Sequence, residues 1–198
     1  MKKYLFPILL VFLFVSCSPV QKRVEFFRDI SPKDEPTGPD TVIEFDMSEA
    51  ESYNWRGLIA GKEELDYHRA IQNFDEAILL DPQYAIAYAN RGIAYSKLGD
   101  YKKAIEDYNK AIKLYPNYSK AYFNRGFTYS KLENYRQSLA DFTQAIQLNP
   151  ADANTYVLRG VIYSYLGNRE KACEDQKKAC ELGICEGRNL AQEKGICP

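Results

Sequence analysis

The most reactive side chains in this sequence are five cysteines and a single histidine, His68. Four of the cysteines stand near the C-terminus, at Cys173, Cys180, Cys185 and Cys197. Zinc sites commonly contain a Cys-x-x-Cys pair, and none of these spacings forms one, so the pattern disfavours zinc. His68 has no evident partner for acid–base catalysis, and we interpret it as a surface residue. Disulfide formation is therefore the chemistry that the four cysteines favour.

Other chemical motifs are missing from the sequence. It contains no glycine-rich phosphate loop, no nucleophile elbow and no cluster with metal-ligand spacing. The formal net charge is −1, and no basic stripe indicates binding of nucleic acid. We therefore expect a protein that is not an enzyme, has no cofactor and no metal, and does not bind nucleic acid.

Most of the sequence after residue 50 consists of a repeated unit of 34 residues. Residues 85–118, AIAYANRGIAYSKLGDYKKAIEDYNKAIKLYPNY, recur 34 residues later at 119–152. A third copy at 153–186 loses the pattern at its end, and a looser copy occupies about 51–84. A fixed period of this length indicates a repeat architecture. Within each unit, two stretches of helical period flank a turn such as Gly99-Asp100, so each unit is predicted to form two helices.

The pattern within each unit resembles the tetratricopeptide repeat family. The family has a bulky fourth residue, small residues at the eighth, twentieth and twenty-seventh places, aromatic residues at the eleventh and twenty-fourth, and proline at the thirty-second. In residues 85–118 these places hold Tyr88, Gly92, Ala104, Ala111, Tyr95, Tyr108 and Pro116. The resemblance implies an all-α fold, an α-solenoid of antiparallel helix pairs wound into a superhelix. We expect about four repeats, within residues 48–186, and a C-terminal capping helix.

The N-terminus is organised differently. Residues 1–16 have a basic start and a mostly apolar run of twelve residues, which is typical of a signal peptide and too short to span a bilayer comfortably. The run ends in FVSC, which resembles a bacterial lipoprotein cleavage box. That resemblance implies a lipid on Cys17 and attachment to a membrane. The alternative is an ordinary signal peptide followed by an incidental cysteine. We expect a lipid-anchored protein of the bacterial cell envelope that faces the periplasm or the cell surface.

Residues 17–47 contain several prolines and no helical period, so we interpret them as a disordered tether. Two short apolar stretches interrupt it, VEFF at 24–27 and VIEF at 42–45. They could pack against the first repeat or occupy the protein's own groove.

In the tetratricopeptide family, the first helices of successive repeats line a concave groove that holds a peptide. The resemblance places the following residues there: Asn90, Lys97, Lys120, Phe123, Asn124, Lys131 and Tyr165. Lys97 and Lys131 could favour an acidic partner, or they could be ordinary solvated lysines. A carboxylate clamp, which a subset of the family carries, is not supported because only two of its five positions match. We therefore expect a scaffold that binds a partner protein or peptide. The alternatives are a self-associating structural component of the envelope and a binder of a small ligand or peptidoglycan fragment.

An arginine and an aspartate also recur at fixed places in the repeats. The seventh place holds Arg91, Arg125 and Arg159, and the twenty-third place holds Asp107, Asp141 and Asp175. These places face each other in an antiparallel hairpin, so we expect arginine–aspartate links that serve the scaffold.

The C-terminal segment, residues 187–198, is predicted to form a capping helix and tail. Folding back over the last repeat would bring Cys180 to Cys185 near the turn and Cys197 alongside Cys173. This nested pattern is one of three possible connectivities, and a disulfide there would stabilise the exposed end of the array.

Overall fold

The structure is a computed structural model that describes residues 47–63 and 65–185. In that part of the chain it contains eight α-helices and no β-strand. They are α1 (Glu49–Lys62), α2 (Tyr67–Leu80), α3 (Ala85–Lys97), α4 (Tyr101–Leu114), α5 (Ser119–Lys131), α6 (Tyr135–Leu148), α7 (Ala153–Tyr165) and α8 (Arg169–Glu181). None of these helices combines the length and apolar character needed to cross a bilayer.

Consecutive helices form four pairs, and each pair packs against the next. The predicted all-α solenoid of helix pairs is therefore confirmed. Helix α1 begins at Glu49, slightly before the first unit predicted from the sequence. The signal peptide (1–16), Cys17, nearly all of the tether (17–47) with its two apolar stretches, and the capping segment (187–198) lie outside the described residues.

Local signals set the helix ends. Ser48 and Glu51 form a capping box at the start of α1: the Ser48 amide donates to Glu51 Oε2 at 2.8 Å, and the Glu51 amide donates to Ser48 Oγ at 3.2 Å. Between α3 and α4, Gly99 adopts φ 83°, which glycine tolerates without steric cost. Asp100 then accepts a hydrogen bond from the Lys103 amide and starts α4. A residue with positive φ lies in the turn of every hairpin, namely Leu65, Gly99, Glu133 and Gly167, and a side-chain cap starts α2, α4 and α8.

In the first three pairs, a glycine on the first helix allows an aromatic ring of the second to approach. Gly92 on α3 lies against Tyr108 on α4, where a Cβ on residue 92 would meet Tyr108 Cε1 at 2.8 Å. Tyr108 is buried, together with Ala104 and Ala111 on the same face of α4. Protein interiors are closely packed, so this contact requires glycine at residue 92.

The predicted arginine–aspartate links are present. Arg125 on α5 donates from Nε to Asp141 Oδ2 at 2.8 Å and from Nη2 to Asp141 Oδ1 at 2.7 Å. The same two bonds join Arg91 to Asp107 and Arg159 to Asp175. Nη1 of Arg125 also donates to Asn109 on α4, in the preceding repeat, at 2.6 Å. The row therefore fixes each hairpin internally and joins it to the hairpin before it, and its predicted scaffold role is confirmed.

Candidate functional site

The first helix of each pair contacts the first helix of the next, so α1, α3, α5 and α7 form one continuous surface. We call this the inner surface. It is the face on which the sequence predicts a groove. All seven predicted groove residues lie on its helices α3, α5 and α7.

Two cavities open along the inner surface. The first cavity, of about 320 Å³, lies between α1 and α3 beside the start of α2. Its lining includes Leu58, Lys62, Tyr67, Ile93 and Lys97. The lining is mostly apolar, and the lysines stand among the exposed residues of the chain.

The second cavity, of about 210 Å³, lies between α5 and α7 beside the start of α6. It is lined by Ser130, Lys131, Tyr135, Phe142, Leu158, Val161, Ile162 and Tyr165. Each of these eight residues occupies the repeat position of a residue that lines the first cavity. Ile93 corresponds to Val161, for example, and Lys97 to Tyr165. The two cavities are therefore one repeated feature, two repeats apart.

The predicted groove residues do not all reach these cavities. Asn90 and Lys97 line the first cavity, and Lys131 and Tyr165 line the second. Lys120 is exposed at the start of α5 and lines neither.

Three of the predicted residues also take part in the fold. Asn90 Nδ2 donates to Asn54 Oδ1 of α1 at 2.9 Å, so part of its amide is already used between two repeats. The ring of Phe123 lies 5.9 Å from that of Phe142, centroid to centroid, and contributes to hairpin packing. Asn124 is half-buried, and its backbone carbonyl accepts a hydrogen bond from Thr128 Oγ1. Only part of the predicted set is therefore available to a ligand.

Lys62 is a cavity residue that sequence reasoning missed. It stands five residues after Gly57, as Lys97 does after Gly92 and Lys131 after Gly126. The first repeat is one residue longer than the others, and the additional residue lies in the loop after α1. Counting from these glycines would therefore have identified Lys62. The three lysines occupy the last turns of α1, α3 and α5, where a cation also interacts favourably with the helix dipole.

Charge differs between the second helices and most of the inner ones. Helices α3, α5 and α7 contain no aspartate or glutamate, whereas α2, α4, α6 and α8 all do. Helix α1 carries Glu49 and Glu51, but they stand in its first turn, at the opposite end of the helix from Lys62. The arginines of α3, α5 and α7 are engaged with aspartates of the second helices. Among the described residues, Lys97, Lys120 and Lys131 form no ion pair. The inner surface therefore presents uncompensated positive charge, although the chain as a whole carries −1.

At the second cavity two tyrosines meet. The rings of Tyr135 and Tyr165 lie 4.9 Å apart, and Tyr165 is 71% exposed. Desolvation, together with the hydrogen bond and charge interaction with Tyr165, raises the pKa of Tyr135. The Tyr135 phenol therefore remains neutral at physiological pH and offers a hydroxyl group at the rim.

Within 47–63 and 65–185, no group of three histidine, cysteine, aspartate or glutamate residues is placed to hold a metal ion. His68 is exposed near the start of α2.

Beyond the end of α8, Cys180 and Cys185 lie at disulfide distance across the turn that contains Gly183. This is one pair of the nested pattern. The other, Cys173–Cys197, stays a prediction because Cys197 lies outside the described residues.

Comparison with family profiles finds repeats along most of the described chain. The tetratricopeptide repeat profile matches residues 85–118 and 119–152, and a second profile of that description matches 153–182. A TPR repeat profile matches 66–99. Together these matches cover residues 66–182, more than half of the chain. No curated protein matches the sequence.

Several solved structures are similar. MamA from Desulfovibrio magneticus RS-1, from residue 41 to its end, is 26% identical with a TM-score of 0.62, over 69% of this chain and 77% of that one. The Arabidopsis OM64 TPR domain is 28% identical with a TM-score of 0.57, over 59% and 95%. The first TPR of Spaghetti (RPAP3), bound to the HSP90 peptide SRMEEVD, is 26% identical with a TM-score of 0.58, over 63% and 98%.

Proposed function

Because the chain belongs to the tetratricopeptide repeat family, we propose that it is a non-enzymatic scaffold whose inner surface binds a segment of another protein. The observation that carries this proposal is the pair of equivalent cavities on the inner surface, each with an apolar floor and a lysine at its rim. The bound peptide in the similar Spaghetti structure supports it by analogy of fold.

The size of the cavities favours side chains of a peptide over a separate small molecule. Pockets for small molecules usually enclose about 300–1,000 Å³ and bury most of the ligand. The cavities measure about 320 and 210 Å³, so they lie at or below the lower end of that range. A binder of a small ligand or peptidoglycan fragment is for this reason the weaker alternative.

We also propose that the scaffold is held at a membrane of the bacterial cell envelope by lipid on Cys17. The support is the sequence of residues 1–17, and a doubly or triply acylated cysteine would provide stable anchoring. The test is metabolic labelling with an alkyne fatty acid in a bacterial host. Label on the wild type that is lost in Cys17→Ser, with release of the variant from membranes, is the expected result. Equal labelling of both proteins would contradict the proposal.

The binding role is tested by crosslinking and affinity capture from intact cells. The test variant carries Lys97→Glu and Lys131→Glu on the inner surface. The matched control carries Lys102→Glu and Lys113→Glu, which change the charge equally at exposed positions of α4. We expect a specific partner to be captured by the wild type and the control and lost from the test variant, with circular dichroism unchanged.

Capture of the same partners by all three proteins would indicate that they bind outside the inner surface. Capture of only the chain itself would favour the structural, self-associating alternative.

A further inference from the structure

The partner's chemistry can be argued from the charge of the inner surface. Helices α3, α5 and α7 carry no carboxylate, and the carboxylates nearest to their arginines are already engaged with them. Lys97 and Lys131 remain as exposed cations without an ion pair among the described residues. A partner that covers this surface must supply negative charge, because otherwise it would bury cations without compensation.

The spacing of the two cavities sets the length of the segment that could fill both. The first cavity lies between α1 and α3 and the second between α5 and α7, so they are two helix spacings apart. Packed helices stand about 8–10 Å apart, which places the cavities about 16–20 Å apart. An extended chain advances about 3.3 Å per residue, so five or six residues span that distance.

The alternation of side chains along an extended chain decides whether the two side chains in the cavities are five or six residues apart. Side chains of an extended segment point to opposite sides at successive residues, so two that face the same surface are an even number apart. A separation of six therefore fits and five does not. The residues third and fifth in such a seven-residue segment face the same surface, over α3 and α5, which carry Lys97 and Lys131 at the edges of the two cavities.

We propose that the inner surface binds an extended acidic segment of a partner protein, with bulky apolar side chains six residues apart in the two cavities and carboxylates between them on Lys97 and Lys131. This inference rests on the proposed function and specifies its ligand. Phe127, on α5, occupies the repeat position of Ile93 and Val161, and Lys131 Nζ lies 5.1 Å from the centroid of its ring. Its larger, half-buried ring takes up space in the middle of the surface, and the segment passes over it.

A second copy of the chain is a poorer occupant of this surface. Two inner surfaces brought face to face would oppose lysine to lysine, and like charges in contact disfavour association. Nucleic acid would satisfy the lysines, but its phosphates would not fill apolar cavities.

The test uses fluorescently labelled peptides and the full chain in detergent, with binding followed by fluorescence anisotropy. The probe has seven residues, with phenylalanine first and seventh, glutamate third and fifth, and serine elsewhere. Its C-terminus is amidated so that no terminal carboxylate contributes. One comparison peptide has the second phenylalanine at the fourth position, and another has glutamine in place of both glutamates.

We expect the probe to bind at least about fivefold more tightly than either comparison peptide, and its affinity to fall as salt rises. Lys97→Glu with Lys131→Glu should weaken probe binding at least about tenfold, while Lys102→Glu with Lys113→Glu should leave it within about twofold. Val161→Trp, which places a larger side chain at the second cavity, should remove the advantage of the probe over the peptide with shifted phenylalanine.

Equal binding of the three peptides would overturn the inference, as would equal losses in the two double variants. Light scattering that shows chain dimers displaced by the probe would overturn it in favour of a second copy. If the peptides fail while crosslinking in cells still recovers a partner that depends on Lys97 and Lys131, the proposed function stands and only the ligand is wrong. Failure of both experiments removes the proposed function as well.

Discussion

Arg91 and Asp75 form an ion pair across the boundary between the first two repeats, with Arg91 Nη1 2.6 Å from Asp75 Oδ1. The other two donors of the same guanidinium, Nε and Nη2, hold Asp107 within the second repeat. One side chain therefore joins α2, α3 and α4. Burial by itself would lower the pKa of Arg91, but hydrogen bonds and charge interactions with Asp107 and Asp75 outweigh it and raise that pKa above its ordinary value. In the next two repeats the partner in the preceding repeat is Asn109 and then Thr143, so the link to that repeat loses its ionic character along the array.

Replacing Arg125 should weaken the array. Arg125→Gln removes both bonds to Asp141, whose side chain is only 8% exposed, and leaves a carboxylate buried without its cation. Because Arg125 itself keeps some contact with water, we expect a loss of about 2 kcal/mol in the free energy of unfolding. Urea denaturation followed by circular dichroism measures it. Arg136→Gln, at an exposed position of α6, is the control and should change little. Equal stability of the two variants would show that the link is not stabilising.

Alkaline pH should destabilise the fold through Tyr108. Burial raises the pKa of Tyr108 well above 10.0, its ordinary value. A group whose pKa is raised on folding contributes stability that is present below the unfolded pKa and is lost as pH rises toward the folded pKa. We therefore expect the unfolding free energy to fall as pH passes about 10.

In Tyr108→Phe that fall should be smaller, because the variant lacks the titrating phenol. The variant should fold, since Phe142 occupies the equivalent place in the next repeat. Denaturation at several pH values, with tyrosine absorbance as an independent record of ionisation, makes the comparison. The same pH dependence in both proteins would exclude Tyr108 as the cause.

Two glycines on the inner helices should respond in opposite directions to alanine. At Gly92 an added Cβ would meet Tyr108 Cε1 at 2.8 Å, so Gly92→Ala should lower the free energy of unfolding by about 1–3 kcal/mol. At Gly61 the nearest atom, Ala70 Cβ, is 3.4 Å away, which is ordinary contact. Gly61→Ala should therefore be neutral or up to about 1 kcal/mol stabilising, because alanine favours the helix. Thermal unfolding of the two variants tests the prediction, and a loss at Gly61 as large as that at Gly92 would contradict it.

Gln176 should be replaceable with a gain in stability. It stands where the other repeats carry a buried aromatic residue, is 5% exposed, and its Oε1 has no hydrogen-bond partner among the described residues. A buried acceptor without a partner costs about 1–3 kcal/mol. Gln176→Leu, which keeps the approximate shape, should raise the free energy of unfolding by about 1–2 kcal/mol. Gln137→Leu, at an exposed position of α6, should not. Destabilisation of Gln176→Leu would indicate that the amide makes a contact that leucine cannot replace.

Much of the fold could be predicted from the sequence because its determinants are local and repeated. The helical period, the turn at Gly99 and Asp100 and the capping box at Ser48 each act over a few residues. The Arg125–Asp141 link joins residues 16 apart, but a hairpin with a short turn leaves almost no freedom in which residues face each other. The same argument predicted that Cys180 approaches Cys185, and the two lie at disulfide distance.

The site was predicted less completely because it depends on how repeats pack. Position in the repeat assigned Asn90 and Phe123 to the groove. Asn90 lines the first cavity, but part of its amide is used by the bond to Asn54, and Phe123 packs against Phe142 and lines neither cavity. Lys62 was not predicted because groove residues were assigned only in the three later repeats and none in the irregular first one. Which residues are free to bind is decided by neighbours that are distant in sequence.

By itself, then, the sequence determined the all-α class, the helix pairs, the repeat length and the links within each pair. Each of these follows from interactions between residues close together along the chain or held opposite each other by one short turn. Only the tertiary structure decided where the inner surface has open space and which cations on it form no ion pair with the described residues. A cavity is the volume left where three helices meet, and its size depends on whether Ile93, Phe127 or Val161 stands at the contact, a property that no single repeat contains.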